Sequence, residues 1–405
     1  MRILISLAAL FLSVIFVQLS SGALGPLDAL SGRALDFTNS QIGLLGSAHF
    51  AGFLIGCWWA PRLMGSVGHA RGFAVFAALG CIGALGHTLT DNAEVWMILR
   101  MLSGACVAGC YTTVESWMQA KATNANRGRV LGGYRIIDIG ASLAAQLLIG
   151  VLTPASYVSY NLLAIFCCLS LIPLALTTST PPAITTPPRL HPIRALRLSP
   201  LGVMGVAVAG VTMAAFRMVS PIYGLEEGLS ATEIGGFLAL GLLGGAISQF
   251  PVGWLADRFD RRAVLAGLSV AALAVSSAIT LGAFPGITGL YISILLFGLV
   301  AFPLFSVSAA HANDFASPDT VVELNAALMF WYAIGAIASP YLASLLLESF
   351  GSKALFIYIG TAHIGLIAFA GWRSMVRAAP TERTPYTYRP RTSFTLQRLF
   401  RRKGD

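Results

Sequence analysis

Four polar side chains stand at helical spacing in an otherwise apolar stretch: Arg135, Asp138, Ser142 and Gln146, separated by three, four and four residues. At 100° per residue they form one stripe. A second stretch holds Arg100, Tyr111 and Glu115, whose directions fall within about 60° of one another by the same periodicity. An ionisable group in hydrocarbon costs about 2.5 kcal/mol or more, so it faces a cavity or a partner. Two chemistries suit a carboxylate beside an arginine there. One is a static ion pair joining two helices. The other is a carboxyl group that takes up and releases a proton, because burial favours its neutral form and the arginine its charged form.

The elements that carry these residues follow from composition. The chain has 405 residues, 56% hydrophobic and 11% charged, with mean hydropathy +0.76. Soluble domains carry about 25% charged residues, so a soluble enzyme or a DNA-binding protein is excluded, as is disorder. Twelve apolar runs, from Ile3–Leu24 to Ala354–Trp372, are each near the roughly 20 residues a membrane helix needs. The expected fold is an all-α polytopic membrane protein of twelve spans. Arg2, the first apolar run and Ser21-Gly22-Ala23 resemble a signal peptide. Retention of that run is expected, because it would be the counterpart of the seventh.

Orientation comes from the 26 Lys and Arg. Twenty-one lie in one set of loops and termini, two (Arg33 and Lys353) in the opposite set, and Arg100, Arg135 and Arg217 inside spans. Positive charge marks the cytoplasmic side, so both termini are expected there. The net charge of +9 resides mostly in the tail. A basic tail beside a membrane meets anionic lipid headgroups, so membrane lipids are expected partners and nucleic acid is not. The six cysteines sit in apolar runs and read as packing residues. No metal and no cofactor is expected, and no phosphate-binding Gly-x-x-x-x-Gly-Lys-Ser/Thr loop is present.

A Pro-rich basic segment at 177–199 divides the chain. The expected organisation is a six-helix bundle over 1–176, a cytoplasmic linker over 177–199, a second bundle over 200–372 and a basic cytoplasmic tail over 373–405. Ser40-Gln41-Ile42-Gly43 and Thr232-Glu233-Ile234-Gly235 correspond at an offset of 192 residues. Weak repeats of this kind mark transporters built around a central site.

The segment Gly253-Trp254-Leu255-Ala256-Asp257-Arg258-Phe259-Asp260-Arg261-Arg262 resembles the cytoplasmic loop signature of the major facilitator superfamily, Gly-x-Leu-Ala-Asp-Arg-x-Gly-Arg-Arg, with Asp260 in place of the second Gly. Arg100-Met101-Leu102-Ser103-Gly104 is similar to that family's Arg-x-x-x-Gly pattern. Gly56-Cys57-Trp58-Trp59-Ala60-Pro61-Arg62 and Val67-Gly68-His69 resemble the YcaD-like bacterial branch. The resemblance implies a secondary transporter of a small solute in the inner membrane, working by alternating access, with a cytoplasmic gate of Gly253, Asp257, Arg258, Arg261 and Arg262. In the first half the acidic loop position holds Ala60 or Pro61 instead, and the Gly-Pro pair of the family's antiporters is absent.

The expected substrate and proton pathway is Arg100, Tyr111, Glu115, Arg135, Asp138, Ser142, Gln146, Arg217, Asn325 and Tyr332. Within it Asp138 is the candidate coupling acid, with Glu115 and Arg135 as its supporting pair. His49 reads as a packed histidine. Counting Glu115 and Asp138 as the buried acids leaves one arginine over, which would favour an anionic or zwitterionic solute. Protons are the expected second substrate, and the chain is expected to act as a monomer. An intramembrane lipid-modifying enzyme and a uniporter or sensor on the same scaffold are the alternatives.

Overall fold

The structure is a computed structural model, and it describes residues 7–123, 126–176, 190–317, 320–376 and 386. Most of the 177–199 segment and nearly all of the 373–405 tail lie outside the described residues. The chain falls into two compact units, divided after residue 187.

The first unit contains α1 (Ala8–Ala34), α2 (Asn39–Val67), α3 (His69–Gly86), α4 (Ala93–Lys121), α5 (Arg127–Leu148), α6 (Tyr157–Leu169) and the short α7 (Leu171–Ala175). The second contains α8 (Pro192–Leu198), α9 (Pro200–Glu226), α10 (Ala231–Arg258), α11 (Arg261–Thr280), α12 (Gly286–Ala301), α13 (Leu304–Asn313), α14 (Val321–Phe350) and α15 (Ala354–Val376).

Eleven stretches among the described residues are long and apolar enough to cross a membrane. Two of them join helices across a break: α6 with α7, and α12 with α13. Pro173 causes the first break, since its ring would meet the carbonyl of Leu169 and it offers no N–H; Pro303 marks the second. The twelfth expected span, α5, is 22 residues long but is not among the eleven. Its polar stripe is the cause, because Arg135, Asp138 and Gln146 dilute its apolar content.

The first helix also departs from expectation. It runs 27 residues to Ala34 rather than ending at Leu24, and Pro26 lies inside it. A proline removes one hydrogen bond and bends a helix, but tertiary packing carries this one two turns further. Asp28 is thereby brought inside the unit.

The repeat is visible in local structure. Thr38 caps α2, its side chain accepting from Gln41 N–H while the Gln41 side chain accepts from Thr38 N–H. Ser230 and Glu233 do the same for α10, again 192 residues later. Further along these helices, Gly52 faces the Met101 carbonyl of α4 and Gly244 faces the Leu295 carbonyl of α12. A Cβ at either would lie 2.0 Å or 2.3 Å from that oxygen. Gly104 and Gly298 return the contact from the partner helix, so each pair meets backbone to backbone.

Phe73, Phe76, Trp117 and Tyr134 centre the core of the first unit, with Cys81, Cys106, Cys110 and Cys167 filling the space between them. All six cysteines are free thiols. In the second unit Phe216 meets Phe237, Phe297 and Phe302 with ring centroids 5.4–6.1 Å apart.

Candidate functional site

In the first unit, α5 sets Arg135 and Asp138 one turn apart, and Arg135 Nη1 lies 3.2 Å from Asp138 Oδ2. Both are mostly buried. The Arg135 guanidinium also lies over the Tyr134 ring, 4.6 Å from its centroid. Tyr111 of α4 reaches across, with its hydroxyl 2.7 Å from Asp138 Oδ1 and 3.0 Å from Gln18 Oε1 of α1. One carboxylate therefore links three helices through one phenol.

Glu115 is fully buried and accepts a hydrogen bond from the Tyr134 hydroxyl at 2.9 Å. Arg135 and Glu115 were expected as a supporting pair; Arg135 contacts Asp138, and Glu115 contacts Tyr134. Ser142 is buried on the same stripe. Gln146 donates to the Gly22 carbonyl of α1 at 3.1 Å. Gln146 thus ties α5 to α1 at one end of the stripe, and Arg135 and Asp138 form an ion pair at the other.

Arg100 belongs to a separate cluster. Its Nε lies 3.3 Å from Oδ2 of Asp28, and both side chains are almost fully buried. Oδ1 of Asp28 accepts from the Tyr160 hydroxyl of α6 at 2.9 Å, and His87, just past the end of α3, brings Nε2 to 3.5 Å from Oδ2. Asp28 was not among the expected site residues because the first span was closed before it. The signal that would have found it is the apolar pattern continuing through Leu27, Ala29 and Leu30. With Asp28 included, the buried acids of this unit number three, and the spare-arginine case for an anionic or zwitterionic solute loses its basis. His49 is buried at the edge of the Phe50 ring.

In the second unit, Arg217 is half-buried on α9. Asn325 and Asn313 form a reciprocal amide pair at 2.8 and 3.0 Å, joining α14 to α13. Tyr332 packs edge-on against Phe305 at 5.4 Å. Glu323 pairs with Arg194 at 3.9 Å on the exposed side.

The residues of the α10–α11 loop separate in role. Arg261 is 1% exposed and binds Asp314, Asp257 and the carbonyls of Ala256 and Ala310. Asp257 is 49% exposed and also accepts from the Tyr386 N–H at 2.6 Å. Arg258 turns onto the Trp254 ring at 5.2 Å, and Arg262 pairs with Asp260 at 2.8 Å. Asp260 also caps α11, which gives a reason for an acid where the loop signature has Gly. Gly253 lies under the Tyr386 ring, where a Cβ would come within 2.7 Å.

Comparison with known proteins agrees with this architecture. The family model described as Major Facilitator Superfamily matches residues 10–247 and 203–404. An uncharacterized MFS-type transporter of Yersinia pestis (strain Pestoides F) is 29% identical over 348 residues, 85% of this chain and 88% of its own length. The uncharacterized MFS-type transporter YcaD of Escherichia fergusonii is 27% identical over 330 residues, 79% and 83% of the two chains. Among solved structures, a mutant of the nucleoside transporter NupG superposes with TM-score 0.77 at 12% identity, covering 91% of this chain and 99% of that one. A D-xylose-proton symporter gives 0.65 at 14% identity, covering 90% and 96%. Such low identities establish a shared fold alone, but the family match spans nearly the whole sequence, and this chain is a multi-pass membrane protein that belongs to the major facilitator superfamily.

Proposed function

We propose that the chain is a secondary active transporter that moves a small solute across a bacterial inner membrane by alternating access, coupled to protons at Asp138. In this reading the bundles over 1–176 and 200–372 are the moving parts, the 177–199 segment is a cytoplasmic linker, and both termini are cytoplasmic. Asp257, with Gly253, Arg258, Arg261 and Arg262, forms the cytoplasmic gate.

The observation that carries the coupling role is the Gln18–Tyr111–Asp138–Arg135 chain. The Tyr111 hydroxyl has one proton and two acceptors in reach. While Asp138 is ionised, the phenol donates to it. Once Asp138 takes a proton, its own O–H donates to the phenol oxygen, and the phenol proton turns to Gln18. Protonation therefore weakens the Arg135 contact and rewires α1, α4 and α5. It also removes a charge, which lowers the cost of passing through an occluded state. A named proton symporter and a nucleoside transporter among the structural neighbours fit a transport role of this kind.

The test is Asp138→Asn in proteoliposomes. Gradient-driven accumulation of solute should be abolished, while exchange of labelled for unlabelled solute persists in part. Undiminished accumulation against the gradient would remove Asp138 from the coupling role.

A further inference from the structure

Beyond α15 the chain meets α10 again at Tyr386. This residue lies ten positions past Val376, the last residue of α15, and belongs to the same compact unit as α10. It touches three positions of that helix. Its hydroxyl donates to Gln249 Oε1 at 3.1 Å, its ring covers Gly253, and its backbone N–H donates to Asp257 Oδ1 at 2.6 Å. Positions 249, 253 and 257 are four residues apart, so they line one face of α10 over about 12 Å.

Each position suits what it receives. The Gln249 side chain donates through Nε2 to the Gly245 carbonyl at 3.0 Å, which leaves Oε1 to accept from the tyrosine. At 253 any side chain would meet the ring, since a Cβ would lie 2.7 Å from two of its carbons. Asp257 stands one residue before the C-terminal end of α10, where the last carbonyls present negative partial charge and disfavour a carboxylate. Two donors converge on its Oδ1, the Tyr386 N–H and Arg261 Nη2, the latter at 3.3 Å. Every residue except proline offers a backbone N–H, so the ring and the hydroxyl are what select Tyr386.

We propose that this face of α10 is a docking site for the chain's own C-terminal tail, and that the tail, seated there through Tyr386, withholds Asp257 from the cytoplasmic gate until it is released. The second half rests on the reading of Asp257 as a gate residue. A carboxylate oxygen that accepts a charge-assisted hydrogen bond from the tail must give it up or share it to take a new donor. The ring over Gly253 and the backbone beside Asp257 also close the approach along this face. Release uncovers Gly253 and frees the oxygen in one step, so the tail and the gate are alternatives for the same carboxylate.

The test uses the full chain in phosphatidylcholine nanodiscs. Tyr386 lies outside every helix, so its replacement leaves the bundle packing in place. Docking is read by hydrogen–deuterium exchange at the amide of residue 386. Exchange should be about tenfold slower in the wild type than in Tyr386→Ala, the protection expected of a hydrogen bond to a charged group. Tyr386→Phe, which keeps the ring, should fall between them. Gating is read from the distance between nitroxide labels at Ser66→Cys and Ala263→Cys, both exposed and one in each unit, with Cys168→Ser removing the exposed native thiol. Tyr386→Ala should change the ratio of distance populations about threefold, as one partly exposed charge contact allows. Asp257→Asn added to it should return the ratio toward the wild-type value. Equally fast exchange in the wild type and Tyr386→Ala overturns the docking and the proposal with it, and leaves the gate reading untouched. Slow exchange with identical distances in the wild type and Tyr386→Ala overturns the control of the gate. A shift that survives Asp257→Asn overturns it as well, and there the gate reading is what has failed, because the wild-type amide still reports a docked tail.

Discussion

The two units handle polarity in opposite ways. The first places Asp28, Arg100, Glu115, Arg135 and Asp138 in its helix interiors, bound across α1, α4, α5 and α6. The second packs Phe216, Phe237, Phe297 and Phe302 against one another and has its tightest ion pairs at the α10–α11 loop. The first unit thus holds ion pairs among its helices, and the second centres on aromatic rings with its tightest ion pairs at the α10–α11 loop.

The largest effect that would test this division is on Asp28. Asp28→Ala leaves the buried Arg100 without its carboxylate, and breaking a buried ion pair from one side costs about 3–5 kcal/mol. Folded yield and the unfolding midpoint should both fall. Replacing the pair together, Asp28→Leu with Arg100→Met, should recover most of that stability, since apolar residues of similar size substitute well for a buried pair. Absence of recovery would mean the cluster holds the first unit together by more than its charges.

Arg261→Lys comes next and asks whether the loop of the second unit depends on geometry or only on charge. Lysine keeps the charge, but its single ammonium cannot reach Asp314, Asp257 and two helix-end carbonyls at once. A loss of about 1.5–3 kcal/mol is expected, the usual worth of a hydrogen bond to a charged group, read from thermal unfolding. An unchanged midpoint would make this a region held by charge alone.

Glu115 should respond less. Glutamine retains an oxygen for the Tyr134 hydroxyl, so Glu115→Gln and Tyr134→Phe should each cost about 1 kcal/mol. A double-mutant cycle should then show that the two losses are not additive. Additive losses would place the Glu115 contribution with other groups.

The helix caps give the smallest and most even test. Thr38→Ala and Ser230→Ala each remove one capping box and should cost about 1 kcal/mol apiece. Equal values would extend the likeness of the units to energetics, and unequal ones would show that the second unit tolerates fraying better.

Much of this was legible in the sequence, for a physical reason. Hydrocarbon imposes a length and composition on each span, so the apolar runs and the 192-residue offset mark the helices directly. The stripe on α5 was equally visible, because polar residues at helical spacing stand out against an apolar background. Asp28 was not, because Pro26 reads as a helix end and only packing carries α1 past it. Depth in the membrane pointed to Glu115 as a neighbour of Arg135, and it did not show that Asp138, one turn along the same helix, provides a 3.2 Å contact as well. Sequence depth orders residues along one axis, and side-chain reach around the helix decides which of them meet.

The backbone contacts at Gly52, Gly104, Gly244 and Gly298 bear on what genetics can do with this protein. A side chain that clashes with another side chain can be rescued by trimming its neighbour. Here the facing group is a peptide carbonyl, 2.0–2.3 Å from where a Cβ would sit, and every amino acid has one. A selection for restored transport after Gly52→Val should therefore return changes at codon 52 itself, and none that compensate at position 101.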